Sequence, residues 1–199
     1  MRWGLRGIRE SLLASVCLGV VNAHATDAIW SPTPDNNNWN DGANWVSTPP
    51  HAVPDGTATF GTSSKTSIVF SQNFTAINNM SFSSNAPSYT FFLVGTQGLD
   101  INGNPSGSPR GGIDVAFASS FLPNFNVQSQ VGLTFHNFAV ANANIFNIAG
   151  GATTFRDSST TLQAQITNDT GTTLFVDNST AVGNATHIVN VNGGRFPAA

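Results

Sequence analysis

The segment GATTFRDSSTTLQAQITNDT, residues 151–170, runs directly into GTTLFVDNSTAVGNATHIVN, residues 171–190, and laying one over the other decides the fold. Phe155 falls on Phe175, Gly151 on Gly171, and FRDSST (155–160) on FVDNST (175–180). Phe135 precedes Phe155 by twenty residues, Phe196 follows Phe175 by twenty-one, and Asn168 matches Asn190 with a shift of two. A unit this short cannot bury an apolar side alone, but stacked copies share one core. The repeat therefore predicts a β-solenoid: the Phe column lines its core, each coil sits about 4.8 Å above the last, and like residues form ladders.

Upstream of Phe135 the repeat fades, but short alternating runs continue at Ser67–Phe70, Ile77–Phe82, Tyr89–Val94 and Leu99–Ile101. Their spacing of about ten residues is that of successive strands with tight corners. The same spacing leaves an antiparallel β-sandwich or jelly roll as the alternative. NGNPSGSPRGG, residues 102–112, reads as a loop, and Asp114–Phe121 is the one stretch expected to make a helical turn or two. Composition agrees with an all-β class. The body after residue 25 has no Glu, one Lys and few Leu, but many Val, Ile, Thr and Phe, which suit a pleated surface. Its Phe content also argues against disorder, because such a chain has apolar area to bury.

The ends carry different signals. Arg2, Arg6 and Arg9 precede an apolar run from Leu12 to Val21, too short to cross a bilayer, and Ala23-His24-Ala25 then supplies a small-x-small cleavage pattern. Residues 1–25 are expected to be a signal peptide, with Thr26 as the new N-terminus. Cys17 is an ordinary signal-region cysteine, since Val16 stands where a lipoprotein signal wants Gly or Ala. The remaining chain is cysteine-free, which excludes disulfides and thiol chemistry. Lys65, Arg110, Arg156 and Arg195 stand against nine Asp, so no basic face is available for nucleic acid. Residues 26–61 form a Trp/Pro-rich segment, dense in Trp, Asn, Asp and Pro from Trp30 to Phe60, where Pro49, Pro50 and Pro54 forbid a regular ladder and leave at most a strand at Ala58–Phe60. This segment is expected to cap the solenoid repeats of 62–199.

Trp30, Trp39 and Trp45, the Pro-rich link, Asp55-Gly-Thr-Ala-Thr-Phe60 and the downstream GTTLFVDNSTAVGNATHIVN together resemble the passenger regions of bacterial autotransporter-type surface proteins with autotransporter-associated β-strand repeats. The resemblance implies a right-handed parallel β-helix shown outside a Gram-negative outer membrane as an adhesin, stalk or scaffold. Family members that export themselves end in a transmembrane β-barrel, whereas here no lipid-facing strand pattern precedes Arg195-Phe-Pro-Ala-Ala. The expectation is a fragment of a longer protein, a degenerate relative, or a freely secreted or periplasmic one. Host or bacterial surface glycans or proteins are the partners implied.

Candidate chemistry is sparse. Asp157 and Asp177, one period apart, would stack; two carboxylates about 5 Å apart repel by about 3 kcal/mol at an effective dielectric of about 20, so they bind a cation or point into water. Calcium wants six to eight oxygens, and the pair has no further carboxylate, which favours a solvated turn over a metal site. Asp35, Asp41 and Asp55 with Asn36, Asn37, Asn38 and Asn40 read as Asx-turn chemistry. His51, His136 and His187 lack zinc spacing, no G-x-S-x-G elbow occurs, and Gly150-Gly151 and Gly193-Gly194 read as corners. No cofactor is implied. Trp30, Trp39 and Trp45 have two readings, a sugar-stacking face or a hydrophobic plug closing the solenoid. The function expected is an exported, non-enzymatic structural or adhesin-like module; the alternative is a secreted carbohydrate-binding or polysaccharide-active β-protein.

Overall fold

The computed structural model describes residues 25–107, 111–116, 121–129, 132–181 and 187–196. The expected signal peptide therefore lies, but for Ala25, outside the described residues. Among the described residues seventeen strands follow one another: β1 (Ala28–Trp30), β2 (Trp45–Ser47), β3 (Thr57–Phe60), β4 (Ser67–Val69), β5 (Phe74–Ile77) and β6 (Asn79–Phe82). Next come β7 (Thr90–Gly95), β8 (Gly98–Ile101), β9 (Gly112–Val115), β10 (Asn124–Ser129), β11 (Gly132–Phe135) and β12 (Val140–Ala141). The last are β13 (Asn144–Ile148), β14 (Ala152–Phe155), β15 (Gln165–Asp169), β16 (Thr172–Phe175) and β17 (His187–Val191).

These strands form three sheets, ordered β12-β9-β6-β3-β1-β2, β17-β15-β13-β10-β7-β4 and β16-β14-β11-β8-β5. From β3 onward the chain visits the three sheets in rotation, so each strand pairs with the strand one circuit later. All strand pairs among the described residues are parallel except β1 with β2. The antiparallel sandwich alternative is corrected by this pairing. Where the later circuits lack a full strand in the first sheet, the bridges Val140↔Thr160 and Thr160↔Thr180 continue it. No helix among the described residues is long and apolar enough to cross a membrane.

Alternation explains which side chains enter the core. Thr-Ala-Thr-Phe in β3 turns Ala58 and Phe60 inward, and Gly-Leu-Thr-Phe in β11 does the same with Leu133 and Phe135. Parallel register then sets like on like. Phe135, Phe155 and Phe175 stack with centroids 4.8 Å apart and ring planes within 6°. Phe60 stacks on Phe82 and Phe91 on Phe125, each also at 4.8 Å. Phe196 does not continue the column; it meets Phe175 edge-on at 5.6 Å and remains exposed.

A polar ladder runs beside the rings. The Asn147 Nδ2 donates to Asn168 Oδ1 at 2.8 Å, and Asn168 Nδ2 donates to Asn190 Oδ1 at 2.8 Å. The hydroxyls of Thr153 and Thr173 donate to Asn147 Oδ1 and Asn168 Oδ1 at 2.7 and 2.9 Å. Asn147 and Asn168 are fully buried, a position tolerable only because their amides are partnered. The glycines at 171 and 194 make room for this ladder: a Cβ at Gly171 would meet the Asn147 carbonyl oxygen at 2.4 Å, and one at Gly194 the Asn168 carbonyl at 1.9 Å; Gly151 sits as close to the Val127 carbonyl, also at 1.9 Å.

Three sequence expectations need correction. The stretch from Trp30 to Phe60 holds two strands besides β3, because β1 joins the first sheet and β2 folds back against it with Trp30 opposite Trp45. Ile77–Phe82 is not one run, since Asn78 turns the corner between β5 and β6. Asp114 lies in β9 and not in a helical turn, held by a parallel register that sets it beside Ser81; residues 117–120 of that expected turn lie outside the described residues.

Phe155 has a ring partner on either side, so Phe155→Ala should cost about 3–5 kcal/mol in urea unfolding, whereas Phe146→Ala, at a partly exposed site, should cost much less.

Candidate functional site

Trp30, Trp39 and Trp45 come together, but in the core. They are 1%, 0% and 2% exposed, so no indole offers a face to a sugar ring, and the sugar-stacking expectation does not fit where the structure places them. Trp45 meets Trp30 and Trp39 edge-on at 5.0 and 4.9 Å, and Trp39 stacks on Phe70 at 5.3 Å. The polar edges are mostly used: Trp30 Nε1 donates to the Lys65 carbonyl and Trp45 Nε1 to the Trp39 carbonyl. Trp39 Nε1 is buried without an acceptor among the described residues. The group covers the apolar surface of the first circuit.

The Asn/Asp-rich segment before β2 is a loop braced by its own side chains and bridged to Val69. Asn36 Oδ1 accepts from the Asn38 N–H, Asn38 Oδ1 from the Asn40 N–H, and Asp41 Oδ1 from the Ala43 N–H. Buried Asn44 ties the loop together through its amide to Asn36 Oδ1 and the Asn38 carbonyl. The Asn36 amide and then the Ala43 N–H hold the Asp41 carboxyl below its ordinary range. Asp55 serves another joint, its Oδ1 accepting from the Thr26 N–H at 2.6 Å.

Asp157 and Asp177 occupy equivalent corners. With Asn137 they form a column of left-handed residues, φ 52°, 56° and 59°, a conformation that Asn and Asp tolerate. Asp157 Oδ2 accepts from the Asn137 N–H at 2.7 Å, and Asp177 Oδ2 from the Asp157 N–H at 3.4 Å. Each carboxylate is thus directed at the backbone of the corner one circuit earlier. His136 lies between carboxylates, its Nε2 3.2 Å from Asp100 Oδ2 and its Nδ1 3.8 Å from Asp157 Oδ2. This cluster ties three circuits together on the outer surface.

A concave site does exist, on the first sheet. The corner from the third sheet to the first is the single residue Asn78 between β5 and β6 and residues 136–139 between β11 and β12, but residues 102–111 between β8 and β9. The described part of that longer corner borders a cleft of about 540 Å³, with Thr57, Asn79, Asp114 and Val140 from the sheet and Gly103 and Pro105 from the corner among its lining. Thr57, Asn79, Gly112 and Val140 are register partners in successive strands. At Gly112, with φ 117°, a Cβ would strike the Val140 backbone at 2.4 Å, so the middle of this row carries no side chain. Among the described residues Asp114, which is exposed, has no hydrogen-bond or ion-pair partner, and Asn79 Oδ1 is buried without a donor. Sequence reasoning missed Asn79 and Asp114; the Gly/Pro-rich 102–112 loop was the available signal, since insertions in stacked repeats often build one face.

The chain matches no protein-family model, no curated protein and no solved structure. Its functional reading therefore rests on its own residues.

Tyr89 packs against Phe60 at 5.0 Å, and its hydroxyl donates to the Gly61 carbonyl at 2.7 Å. Burial pushes its phenol from 10.0 up to about 12, with the Ser63 hydroxyl pulling the other way. The folded chain keeps this proton where the unfolded chain has lost it, so the stability due to the neutral phenol is whole below pH 10 and lost as pH rises toward 12. Tyr89 is the only tyrosine, so tyrosinate absorbance should show one transition well above 10, and Tyr89→Phe should flatten the alkaline loss of stability; an ordinary phenol transition would contradict this.

Proposed function

We propose that the mature chain is an exported, non-enzymatic structural module of the autotransporter-passenger kind, folded as a right-handed parallel β-helix. The rotation of the chain through three parallel sheets supports the helical winding, and parallel crossovers are right-handed in nearly all proteins. The observation that carries the reading is the stack of Phe135, Phe155 and Phe175 at 4.8 Å. Such a stack makes a stiff rod whose length grows by one strand spacing per circuit, which suits a stalk or scaffold at a cell surface.

The N-terminal segment fits the same role. A rod built from parallel circuits exposes an apolar end, and the buried Trp group with the antiparallel strand β2 closes it. Asp157 and Asp177 are engaged with corner N–H groups, which suits mechanical joints better than acid–base work.

Expression of the full chain in a Gram-negative host tests this reading. The expected result is a product in the periplasm or medium whose N-terminal residue is Thr26 and which cleaves no polysaccharide. Retention of an uncleaved chain in the cytoplasm, or hydrolysis or lysis of a glycan by the purified product, would contradict it.

A further inference from the structure

We infer that Asp55 is the anchor for the ammonium group that removal of the signal peptide creates at Thr26, so that processing strengthens the first strand of the fold. The inference rests on the cleavage point of the proposed function and gives that cut a structural role beyond release of the peptide.

Thr26 is held on both sides of its residue. Its nitrogen donates to Asp55 Oδ1 at 2.6 Å, and its carbonyl accepts from the N–H groups of Asp55 and Gly56 at 3.2 and 2.9 Å. Asp27 Oδ1 in turn accepts from the Thr57 N–H at 2.6 Å. The fit is close, since a Cβ at Gly56 would meet Asp27 Oδ1 at 2.4 Å and the Thr26 carbonyl oxygen at 3.0 Å. Chain ends fray unless they are tied down, and this joint ties down β1, which lies between β3 and β2 and carries the buried Trp30.

Hydrolysis of the Ala25–Thr26 bond consumes one water, leaves a carboxylate on Ala25 and frees the Thr26 amine, which is mostly protonated at neutral pH. The nitrogen that gave Asp55 a neutral N–H then carries a positive charge, and a charge-assisted hydrogen bond is roughly twice as strong as a neutral one. The surroundings favour that charge. Neither Asp55 nor Asp27 has an ion-pair partner among the described residues. From β2 and the turn after it, Val46, Ser47, Thr48 and Pro49 border the groove beside Thr26, and none of them titrates. The next circuit brings Asn78, whose N–H donates to the Asp55 carbonyl. An exposed ion pair contributes little where two mobile groups must first be ordered, but here backbone hydrogen bonds already fix both partners.

The test uses the chain beginning at Thr26, released from a purification tag, with a free or an acetylated amino terminus, and Asp55→Asn in both forms. Asn keeps an oxygen for the Thr26 nitrogen and removes the charge. Followed by nuclear magnetic resonance, the Thr26 amine should titrate roughly half a unit or more above the same amine in the urea-unfolded chain, where the ordinary range is about 7.7–8.0. Because folding raises this value, the extra urea resistance of the free-amine chain over the acetylated one should be whole below about pH 7.7 and be lost as pH rises through the raised value. All other titrating groups are common to the two chains, so the difference isolates the amine. Asp55→Asn should remove most of both the shift and the difference. An amine titrating at its unfolded value, equal urea resistance of the free and acetylated chains at about pH 7, or a shift of full size in Asp55→Asn would overturn the inference. These chains begin at Thr26 whatever a host peptidase does, so a different N-terminal residue in the export experiment bears on the proposed cleavage alone.

Discussion

Parallel strands lie about 4.8 Å apart, so a side chain turned into the core meets the side chain at the same position one circuit later. That spacing is also close to the contact distance of two stacked rings, and Phe135, Phe155 and Phe175 exploit the coincidence. The same constraint acts on polar groups. A buried Asn is costly by itself, but Asn147 and Asn168 each find an amide partner at the same register and a threonine hydroxyl beside it. Glycine at 171 and 194 follows from this geometry, because the corner backbone passes too close to the ladder for any side chain.

A column needs an end, and the described chain shows how one is made. The N-terminal segment departs from the repeat in composition and direction: Trp replaces Phe as the filling residue, and β2 runs against β1. Its Asn and Asp side chains take over hydrogen bonding that neighbouring strands supply elsewhere, as when Asn40 Oδ1 accepts from the Ser71 and Gln72 N–H groups. Corners are the other place where variation is tolerated, since a lengthened corner leaves the strand register on either side intact. The 102–111 corner illustrates this: Leu99 still pairs with Leu133 although it lies thirty-four residues earlier.

These facts explain what was legible. From Phe135 onward the corners are short and nearly equal, so structural neighbours recur at about twenty residues and the Phe column could be read directly. Asn168 and Asn190 looked out of phase by two, yet they are register partners, because the intervening corners are longer. Before Phe135 the long corner hides the repeat: Phe91 and Phe125 stack as closely as Phe135 and Phe155 but at a spacing no periodic scan would match. Asp114 shows that its neighbours were the better guide, for the β-branched Ile113 and Val115 on either side suit a strand and pairing with Asn79–Phe82 holds the segment extended. Burial of the Trp side chains was one of two readings compatible with composition, and only the tertiary arrangement separates them. The cleft was not legible, since Thr57, Asn79 and Asp114 are far apart in sequence, and only register sets Thr57 beside Asn79 and Asp114 beside Ser81, two positions along.

Register between circuits is therefore the property to measure. Thr134 and Thr154 are half-buried, outward-facing register partners in β11 and β14, and the chain from Thr26 has no cysteine of its own. With both threonines replaced by cysteine and spin-labelled, electron paramagnetic resonance should show strong spin–spin broadening, as two labels on adjacent parallel strands about 5 Å apart must. A spectrum equal to the sum of the two single-label spectra would place these positions apart and contradict the stacking of circuits.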